Sequence, residues 1–322
     1  MWERRTRRDI GGCTPRVFPA GHNRGEYAAP TGPSGTGMSL RWRSYGPPAG
    51  HPAPRATTSG GTVVYAIGDI HGRADLFARL LAGIRRDASL RPAHRRVLVT
   101  LGDYINRGPE CRAVVEQLLA PGLDGFEIVN LMGNVEQAML RYLDGEMAIA
   151  INWLEYGGIE TAAAYGVACP QPRRHDEHSL EAMRWHDGYQ DAYGATLPPQ
   201  PEEIADLEAL RHTLTAALPP EHMAFFRGLR TMWREGGYCF VHAGIVPGLP
   251  LAEQAPRDCM WIRRRFLDSD LDHGAVVVHG HSIAAEPEVR HNRIGIDTGA
   301  YKTGVLTCLV LDGPERSFLQ TG

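Results

Sequence analysis

TVVYAIGDIHG, residues 62–72, joins an apolar run of strand length to an aspartate and a histidine. The run itself, TVVYAIG (62–68), is continuous and rich in β-branched residues, which is typical of strands covered on both faces. It is followed at once by Asp69, with His71 two residues further on. A single acid after a strand is usually a turn or cap residue. The stretch therefore predicts a buried strand, and the meaning of its polar end depends on the rest of the chain.

The same arrangement occurs twice more downstream. RVLVTLG (96–102) is followed by Asp103, and FEIVNLMG (126–133) is followed by Asn134. Helical patterns stand between and after these runs, at 74–86, 111–120 and 135–145. Strands that alternate with helices predict βαβ units and a parallel sheet. The strand-end side chains would then meet at the carboxyl edge of the sheet, where open α/β folds bind ligands.

The second half of the chain has a different pattern. Short β-branched runs separated by Gly-rich turns occur at 238–244, 274–282, 292–299 and 304–313. These runs predict a second sheet packed on the first, within one α/β domain of mixed sheets flanked by helices. Two of them end in histidines, His242 in one and the pair His279 and His281 in the other. Because the pair is separated by one residue, both side chains are expected on the same face of the strand.

Composition divides the chain into two parts. Residues 1–60 are rich in Gly, Pro and Arg and poor in acids, which predicts a disordered tail; a reading frame that truly starts at Met38 is the alternative. Residues 61–322 are expected to form the folded domain. A helical excursion is predicted near 170–220, where EEIADLEALRHTLTAAL (202–218) has helical spacing. This excursion is expected to border the cleft.

Charge and cysteine usage narrow the possible partners and the compartment. The formal net charge is −3, which does not favour nucleic acid or an acidic membrane surface. No apolar run approaches the roughly 18 residues that span a bilayer. The 6 cysteines are dispersed without a CxxC pair, which argues against a disulfide scaffold or a cysteine zinc site. Reduced thiols in the cytoplasm are therefore expected.

The polar residues at the strand ends form a mixed oxygen and nitrogen ligand set. They are Asp69, His71, Asp103, Asn134, His242 and His281. Such a set suits Mn²⁺, Fe or Zn²⁺ better than Mg²⁺ or Ca²⁺, which favour oxygen alone. Six ligands exceed what one ion with an open position takes, so the set favours two ions about 3.5–4 Å apart that share a carboxylate. A pair of this kind activates water for attack on phosphorus.

Five motifs in this order carry a family resemblance: GDIHG, GDYINRG, GNVE, FVHAG and HGHS. They resemble the metallophosphoesterases of the phosphoprotein phosphatase family, over residues 62 to about 311. Bacterial and phage-type serine/threonine phosphatases are the most similar group, with symmetrical diadenosine tetraphosphatases as near relatives. The resemblance implies a calcineurin-like two-sheet sandwich and a metal-dependent phosphoric ester hydrolase, with Mn²⁺ favoured and Fe or Zn²⁺ as alternatives. A phosphorylated protein, a dinucleoside polyphosphate and a small phosphoester all stay open as substrates.

The resemblance also implies a role for individual residues. Asp69 and His71 would hold one ion and Asp103 would bridge, while Asn134, His242 and His281 would hold the second ion. Arg107 would bind the substrate phosphate, because a guanidinium fork matches two phosphate oxygens. Arg263, in MWIRRRF (260–266), would be a second phosphate-binding arginine, although Arg264 and Arg265 adjoin it. Supporting contacts are expected from Glu136 and His279, and Tyr301 either lines the pocket or belongs to the core.

Two positions depart from the family pattern. Val135 stands where the family has the histidine of GNHE, and Asn106 stands where it has the aspartate of GDxxDRG. In the family these two residues form a dyad that protonates the leaving group. General acid catalysis is typically worth about 10²–10⁴-fold in rate. The sequence therefore predicts either a hydrolase with weakened acid catalysis or a pseudophosphatase that binds phosphate or a partner.

Overall fold

The run at residues 62–67 forms a central strand of the folded chain. The structure is a computed structural model that describes residues 40–169, residue 199 and residues 201–322. The described strands are β1 (Leu40–Arg43), β2 (Thr62–Ile67), β3 (Arg95–Thr100), β4 (Phe126–Asn130), β5 (Met232–Glu235), β6 (Tyr238–Val241), β7 (Val276–His279), β8 (Glu288–Val289), β9 (Arg293–Gly295), β10 (Thr307–Asp312) and β11 (Glu315–Thr321). All of them belong to one compact unit that spans residues 38–322.

Helices lie between many of these strands. The α-helices are α1 (Ala74–Leu90), α2 (Cys111–Leu119), α3 (Asn134–Leu143), α4 (Met147–Trp153), α5 (Ile159–Ala164), α6 (Pro201–Ala217), α7 (Pro220–Arg227), α8 (Pro256–Trp261), α9 (Arg264–Leu267) and α10 (Ala300–Thr303). A π-helical turn at Leu154–Gly158 joins α4 to α5. In the described part of the chain, no helix is both long enough and apolar enough to cross a membrane.

The first sheet has the strand order β1-β11-β10-β2-β3-β4. The strands β2, β3 and β4 are parallel neighbours, which confirms the predicted βαβ units. The prediction that the run at 304–313 belongs to the second sheet is wrong, because β10 pairs antiparallel with β2. A tight turn after Asp312 folds β11 back onto β10 and continues this sheet. Leu309 and Leu311 of β10 face the second sheet, whereas Val310 faces the helices.

The second sheet packs on the first through apolar side chains. Its strand order is β5-β6-β7-β9-β8. Val64 and Ala66 of β2 share one buried cluster with Phe240 of β6 and Val278 of β7. The alternate residues of β2 face the other way, where Tyr65 packs in a cluster with the helices. The predicted architecture, a two-sheet α/β sandwich flanked by helices, is confirmed.

The predicted boundary at residue 60 is wrong. Strand β1 forms the edge of the first sheet by pairing with β11 from Leu40 to Arg43. The ring of Tyr45 packs edge-on against Phe318 at 5.1 Å, and Thr58 is buried. Backbone pairing at the sheet edge orders this segment despite its Gly- and Pro-rich composition. Residues 1–39 of the predicted tail lie outside the described residues.

The predicted helical excursion is described only in its second half. Helix α6 covers residues 201–217, and its side chains Leu207, Leu210 and Leu214 are buried. The Tyr142 hydroxyl on α3 donates to the Leu207 carbonyl at 2.5 Å, which fixes α6 against α3. Residues 170–198 lie outside the described part, and so does the excursion predicted there.

Candidate metal centre

The six predicted ligands converge on one region at the carboxyl ends of the central strands. The ligand atoms form two groups, each with all of its atoms within 4.8 Å of one another: Asp69, His71 and Asp103 in one, and Asp103, His242 and His281 in the other. Asn134 joins the second group, since its Oδ1 lies 2.9 Å from His242 Nε2. Strand alternation and parallel pairing thus bring together residues that are far apart in the chain.

His242 Nε2 is the centre of the second group. It lies 2.9 Å from Asn134 Oδ1, 3.2 Å from His281 Nδ1 and 3.3 Å from Asp103 Oδ1. Bonds of about 2.0–2.1 Å to a common ion hold neighbouring ligand atoms about 3 Å apart. The spacing of these four atoms therefore fits a metal ion.

Asp103 belongs to both groups. Its Oδ2 lies 3.3 Å from His71 Nε2, while its Oδ1 lies 3.3 Å from His242 Nε2. One carboxylate therefore presents a separate oxygen to each group. This placement suits a carboxylate shared by two ions.

Backbone carbonyls orient two of the imidazole rings. His71 Nδ1 lies 2.9 Å from the Ile105 carbonyl, and His242 Nδ1 lies 2.9 Å from the Leu101 carbonyl. A carbonyl can only accept, so each Nδ1 carries the proton and each Nε2 keeps its lone pair for a ligand. His281 has the opposite orientation, with Nδ1 towards the group and a buried Nε2 that has no hydrogen-bond partner among the described residues.

The chain adopts an unusual backbone conformation around these ligands. Among the described residues, the non-glycine residues with positive φ are His71, Asp103, Asn106, Arg107 and His281, all of which lie at or beside the two groups. Such conformations cost free energy and cluster at functional sites.

Two glycines explain why ligands follow Gly in these motifs. A Cβ on Gly133 would lie 2.2 Å from Asp103 Oδ1, and one on Gly280 would lie 2.0 Å from Asp69 Oδ1. Only glycine lets the chain pass this close to the two carboxylates.

Burial makes the two groups suited to cations. Burial and the nearby charges of Asp297 and Asp103 raise the pKa of Asp69 well above its usual value. Burial lowers the pKa of His71 to about 4, and burial together with the charge of Arg263 lowers the pKa of His281 well below its usual value. Buried carboxylates beside neutral imidazoles are stabilised by positive charge. The donor set, mixed oxygen and nitrogen, fits divalent transition metals.

Glu136 makes a supporting contact of the kind expected, because it connects two ligand loops. Its carboxylate is fully buried and accepts hydrogen bonds from the backbone N–H groups of Gly133, Asp103, Tyr104 and Ile105, at 2.8–3.2 Å. The loop after β3 and the start of α3 are therefore held against each other by one side chain.

Two arginines lie beside the centre. Arg107 is half-buried, and its Cζ lies 4.7 Å from the ring centroid of Tyr301. Within the described ranges, no carboxylate pairs with the Arg107 guanidinium. Arg263 is half-buried and donates to the His281 carbonyl at 3.4 Å, whereas Arg264 and Arg265 are exposed. The structure thus places Arg263 nearer to the candidate ligands than its two neighbours.

The two departing residues contribute no titratable group. Asn106 is buried; its Nδ2 donates to the Tyr156 carbonyl at 3.2 Å, and its Oδ1 accepts from the Thr161 hydroxyl at 2.8 Å. Val135 is 3% exposed, and its backbone N–H donates to Asp103 Oδ1 at 3.3 Å. The valine side chain packs in the helix-side core.

One buried acid at the centre is missing from the predicted set. Asp297 follows β9, and burial is the main cause that raises its pKa, with the charge of Asp103 adding to the effect. Its carboxylate accepts from the Gly299 N–H at 2.9 Å and interacts with Asp69. The signal was present in the sequence, since NRIGIDTG (292–299) also has an acid soon after a strand.

The prediction that His279 and His281 share one face of a strand is wrong. Strand β7 ends at His279, and His281 lies beyond it with φ 63°. His279 Nε2 lies 3.5 Å from the Arg293 guanidinium, and its Nδ1 lies 3.1 Å from the Gly280 carbonyl. His279 therefore packs behind the centre instead of facing it.

Comparison with known sequences supports the motif analysis. The family described as calcineurin-like phosphoesterase matches residues 62–284. Proteins named symmetrical bis(5'-nucleosyl)-tetraphosphatase are similar: one from Acidovorax sp. (strain JS42) is 30% identical over 184 residues, 57% of this chain and 44% of that protein. One from Delftia acidovorans (strain DSM 14801 / SPH-1) is 39% identical over 82 residues, 26% of each chain. The matched region is thus less than half the length of these relatives.

The solved structures that resemble this chain are more distant in sequence. A cold-active protein-tyrosine phosphatase of a psychrophilic Shewanella species has a TM-score of 0.43 and 17% identity, over 82% of this chain and 83% of that one. A metallophosphoesterase from Sphaerobacter thermophilus has a TM-score of 0.39 and 14% identity, over 82% of this chain and 89% of that one.

Proposed function

Because the chain belongs to the calcineurin-like phosphoesterase family, we propose that it hydrolyses phosphoesters or phosphoanhydrides at a centre of two divalent metal ions. Asp69 and His71 would hold one ion, and Asn134, His242 and His281 would hold the other. The observation that carries the proposal is Asp103, whose two oxygens face the two groups separately. Mn²⁺ is the favoured ion, with Fe or Zn²⁺ as alternatives.

Two divalent ions would supply Lewis-acid activation of water and neutralise charge on the phosphoryl group. The protein's own contribution is to bind and orient the substrate. The Arg107 guanidinium has no carboxylate partner among the described residues, so its N–H groups remain available for phosphate oxygens. Arg263 would provide a second cation, since its hydrogen bond to the His281 carbonyl fixes it beside the ligands.

At the two dyad positions, the described site has no side chain that can protonate the leaving group. The Val135 side chain has no proton to donate, and the Asn106 amide is occupied by Tyr156 and Thr161. Leaving groups that are stable anions need little protonation, whereas alkoxides need it most. We therefore propose that nucleotide phosphates and aryl oxides are better leaving groups here than the hydroxyl of a phosphoserine. This preference agrees with relatives named as bis(5'-nucleosyl)-tetraphosphatases.

The test compares kcat/KM across substrates that differ in leaving-group pKa. The wild-type protein loaded with Mn²⁺ should cleave p-nitrophenyl phosphate and a dinucleoside tetraphosphate much faster than an alkyl phosphate. Val135→His, alone and with Asn106→Asp, should raise the rate on the alkyl phosphate by about 10-fold or more, part of the range for general acid catalysis. If neither variant accelerates the poor leaving group, the account based on a lost acid is wrong.

A pseudophosphatase is the second candidate, and the substitution of both dyad positions favours it. Such a protein would bind metal and phosphate, or a phosphorylated partner, without turnover. The same panel of substrates separates the two candidates. Metal-loaded protein that binds inorganic phosphate but leaves every substrate uncleaved would identify the binding module.

A further inference from the structure

We infer that Tyr301 is a positioning residue that holds Arg107 ready for phosphate and at the same time supports His71. The inference rests on the proposed function and deepens it, since it concerns how the phosphate-binding cation is oriented. Tyr301 lies in α10, far along the chain from both partners.

One ring contacts both residues. The Arg107 Cζ lies 4.7 Å from the Tyr301 centroid. The Tyr301 and His71 rings meet edge to face, with centroids 5.4 Å apart and planes at 83°. The distance to Arg107 is within the roughly 6 Å over which an aromatic face attracts a cation. Tyr301 therefore joins the candidate phosphate cation to a candidate ligand of the first ion.

An aromatic ring is a suitable support for a cation that must bind an anion. A carboxylate in this place would neutralise the guanidinium and occupy two of its N–H groups. The ring face attracts the cation while it takes up neither the charge nor the donors needed for phosphate. In the structure, no carboxylate among the described residues takes that place beside Arg107.

Arg107 needs support because its side chain is long. A free arginine side chain samples many rotamers, and much of this freedom is lost when phosphate binds. The backbone of Arg107 is already fixed, with φ 69° and an N–H bond to the Gly157 carbonyl at 3.3 Å. The Tyr301 ring restrains the rest of the side chain, so less freedom remains to be lost on binding.

Tyr301 is itself held by its own short helix. Gly299 and Gly304, which flank α10, have φ of 66° and 74°. The Arg73 guanidinium donates to the Ala300 carbonyl at 3.0 Å, and the Thr303 hydroxyl donates to the Thr298 carbonyl at 2.8 Å. Bonds on both sides of the tyrosine fix its backbone.

Core packing does not account for this tyrosine. Its side chain is only partly buried and lies outside the buried apolar clusters of the described residues. Its two close ring contacts are a cation and an imidazole, both at the candidate site.

The test uses Tyr301→Leu and Tyr301→Phe in the full chain. Trp42→Leu is the matched control, because Trp42, in the edge strand β1, makes a contact of the same cation–π kind, with Arg91 at 5.8 Å. Dissociation constants for inorganic phosphate, metal content, and kcat and KM for p-nitrophenyl phosphate are measured on Mn²⁺-loaded protein. Tyr301→Leu should weaken phosphate binding and raise KM by about 3-fold to 30-fold, the range of a cation–π contact.

The conservative variant separates positioning from other roles. Tyr301→Phe keeps the ring and should stay within about twofold of wild type, the margin of an unchanged cation–π contact. The control should match wild type. Unchanged phosphate affinity in Tyr301→Leu overturns the inference, and so does an equal loss in Tyr301→Phe, which would assign the effect to the hydroxyl. Loss of metal together with phosphate binding in Tyr301→Leu would trace the effect to His71 and the first ion, and would overturn the role inferred for Tyr301 in holding Arg107. A wild-type protein that binds no phosphate would instead refute the proposed function.

Discussion

The side-chain amide of Asn106 donates a hydrogen bond to the backbone carbonyl of Tyr156, with 3.2 Å between nitrogen and oxygen. The Thr161 hydroxyl satisfies the other end of the amide at 2.8 Å. A carboxylate at this buried position would face the Tyr156 carbonyl with no proton to share. The surroundings of residue 106 therefore suit an amide, and restoring the family's aspartate is expected to destabilise the fold.

Asn106→Asp should lower the free energy of unfolding by about 1–3 kcal/mol, because a buried hydrogen bond is replaced by two opposed acceptors. Urea denaturation of the metal-free protein measures the change. Thr161→Ser keeps the hydroxyl bond and serves as a matched control with a smaller loss. Equal stability of Asn106→Asp and wild type would show that the amide bond to Tyr156 is dispensable.

Metal content should follow the two ligand groups. Asp103→Asn weakens the one carboxylate that faces both groups, so both ions should be lost or bound weakly. Asn134→Ala should affect only the ion of the second group. His291→Ala, which changes a half-buried histidine outside both ligand groups, is the control. Elemental analysis after dialysis gives the ions per chain, and two ions retained in Asp103→Asn would contradict the shared site.

Glu136→Gln should destabilise the protein and loosen the ligand loops. The carboxylate accepts four backbone N–H groups in a fully buried place, and an amide nitrogen would turn a donor towards some of them. A loss of about 2–4 kcal/mol is expected from unsatisfied buried groups. Hydrogen exchange at residues 103–105 should also accelerate. Unchanged exchange there would mean that the loops are held by other contacts.

The metal-ligand pattern was predictable because it depends on local sequence and on the period of parallel strands. Asp103 and Asn134 follow predicted strands, and pairing in register brings the side chains of both to His242 Nε2. The long-range features could not be read this way. The place of β10 in the first sheet and the pairing of β1 depend on which sheet edge is free, and no local pattern carries that information.

The contacts of Asn106 and Tyr301 also could not be predicted from the sequence. Their partners, Tyr156 and Arg107, lie far away in the chain and carry no motif that links them. Asp297 is a different case. Asp297 fits the pattern of an acid that follows a strand. Its strand has only 3 residues, however, so the strand itself is hard to recognise in the sequence.

The pair of Glu288 and Arg293 should make stability depend on acid pH. Partial burial alone would raise the pKa of Glu288, but hydrogen bonds from Arg293 and Arg290 outweigh burial and lower the pKa to about 2 from an ordinary 4.5. A lowered folded-state pKa means that the stabilisation is fully present above pH 4.5 and is lost as the pH falls towards 2. Glu288→Gln should remove this stabilisation.

Thermal unfolding between pH 7 and pH 3 tests this dependence. The difference in Tm between wild type and Glu288→Gln should be largest at neutral pH and should shrink below pH 4.5, where the wild-type pair begins to lose its advantage. Glu116→Gln breaks an exposed pair with Arg112 and should change little at any pH. A difference that stays constant down to pH 3 would rule out the pair as its cause.

Backbone strain at Arg107 can be separated from the loss of its side chain. Arg107→Gly and Arg107→Ala both remove the guanidinium, but only glycine adopts φ 69° without penalty. The free energy of unfolding of the glycine variant should therefore be about 1 kcal/mol higher than that of the alanine variant. Phosphate binding should be weakened equally in both. Identical stabilities would mean that this loop relaxes when the arginine is removed.

At the residues of the candidate site that have a left-handed backbone conformation, stability and activity favour different side chains. His71, Asp103, Arg107 and His281 each hold a conformation that glycine would adopt more easily. Selection for heat resistance alone would favour glycine at these positions. It would therefore remove the side chains proposed to bind metal and phosphate. A heat-resistant variant of this protein is therefore a candidate for lost function until its metal content and phosphate affinity have been measured.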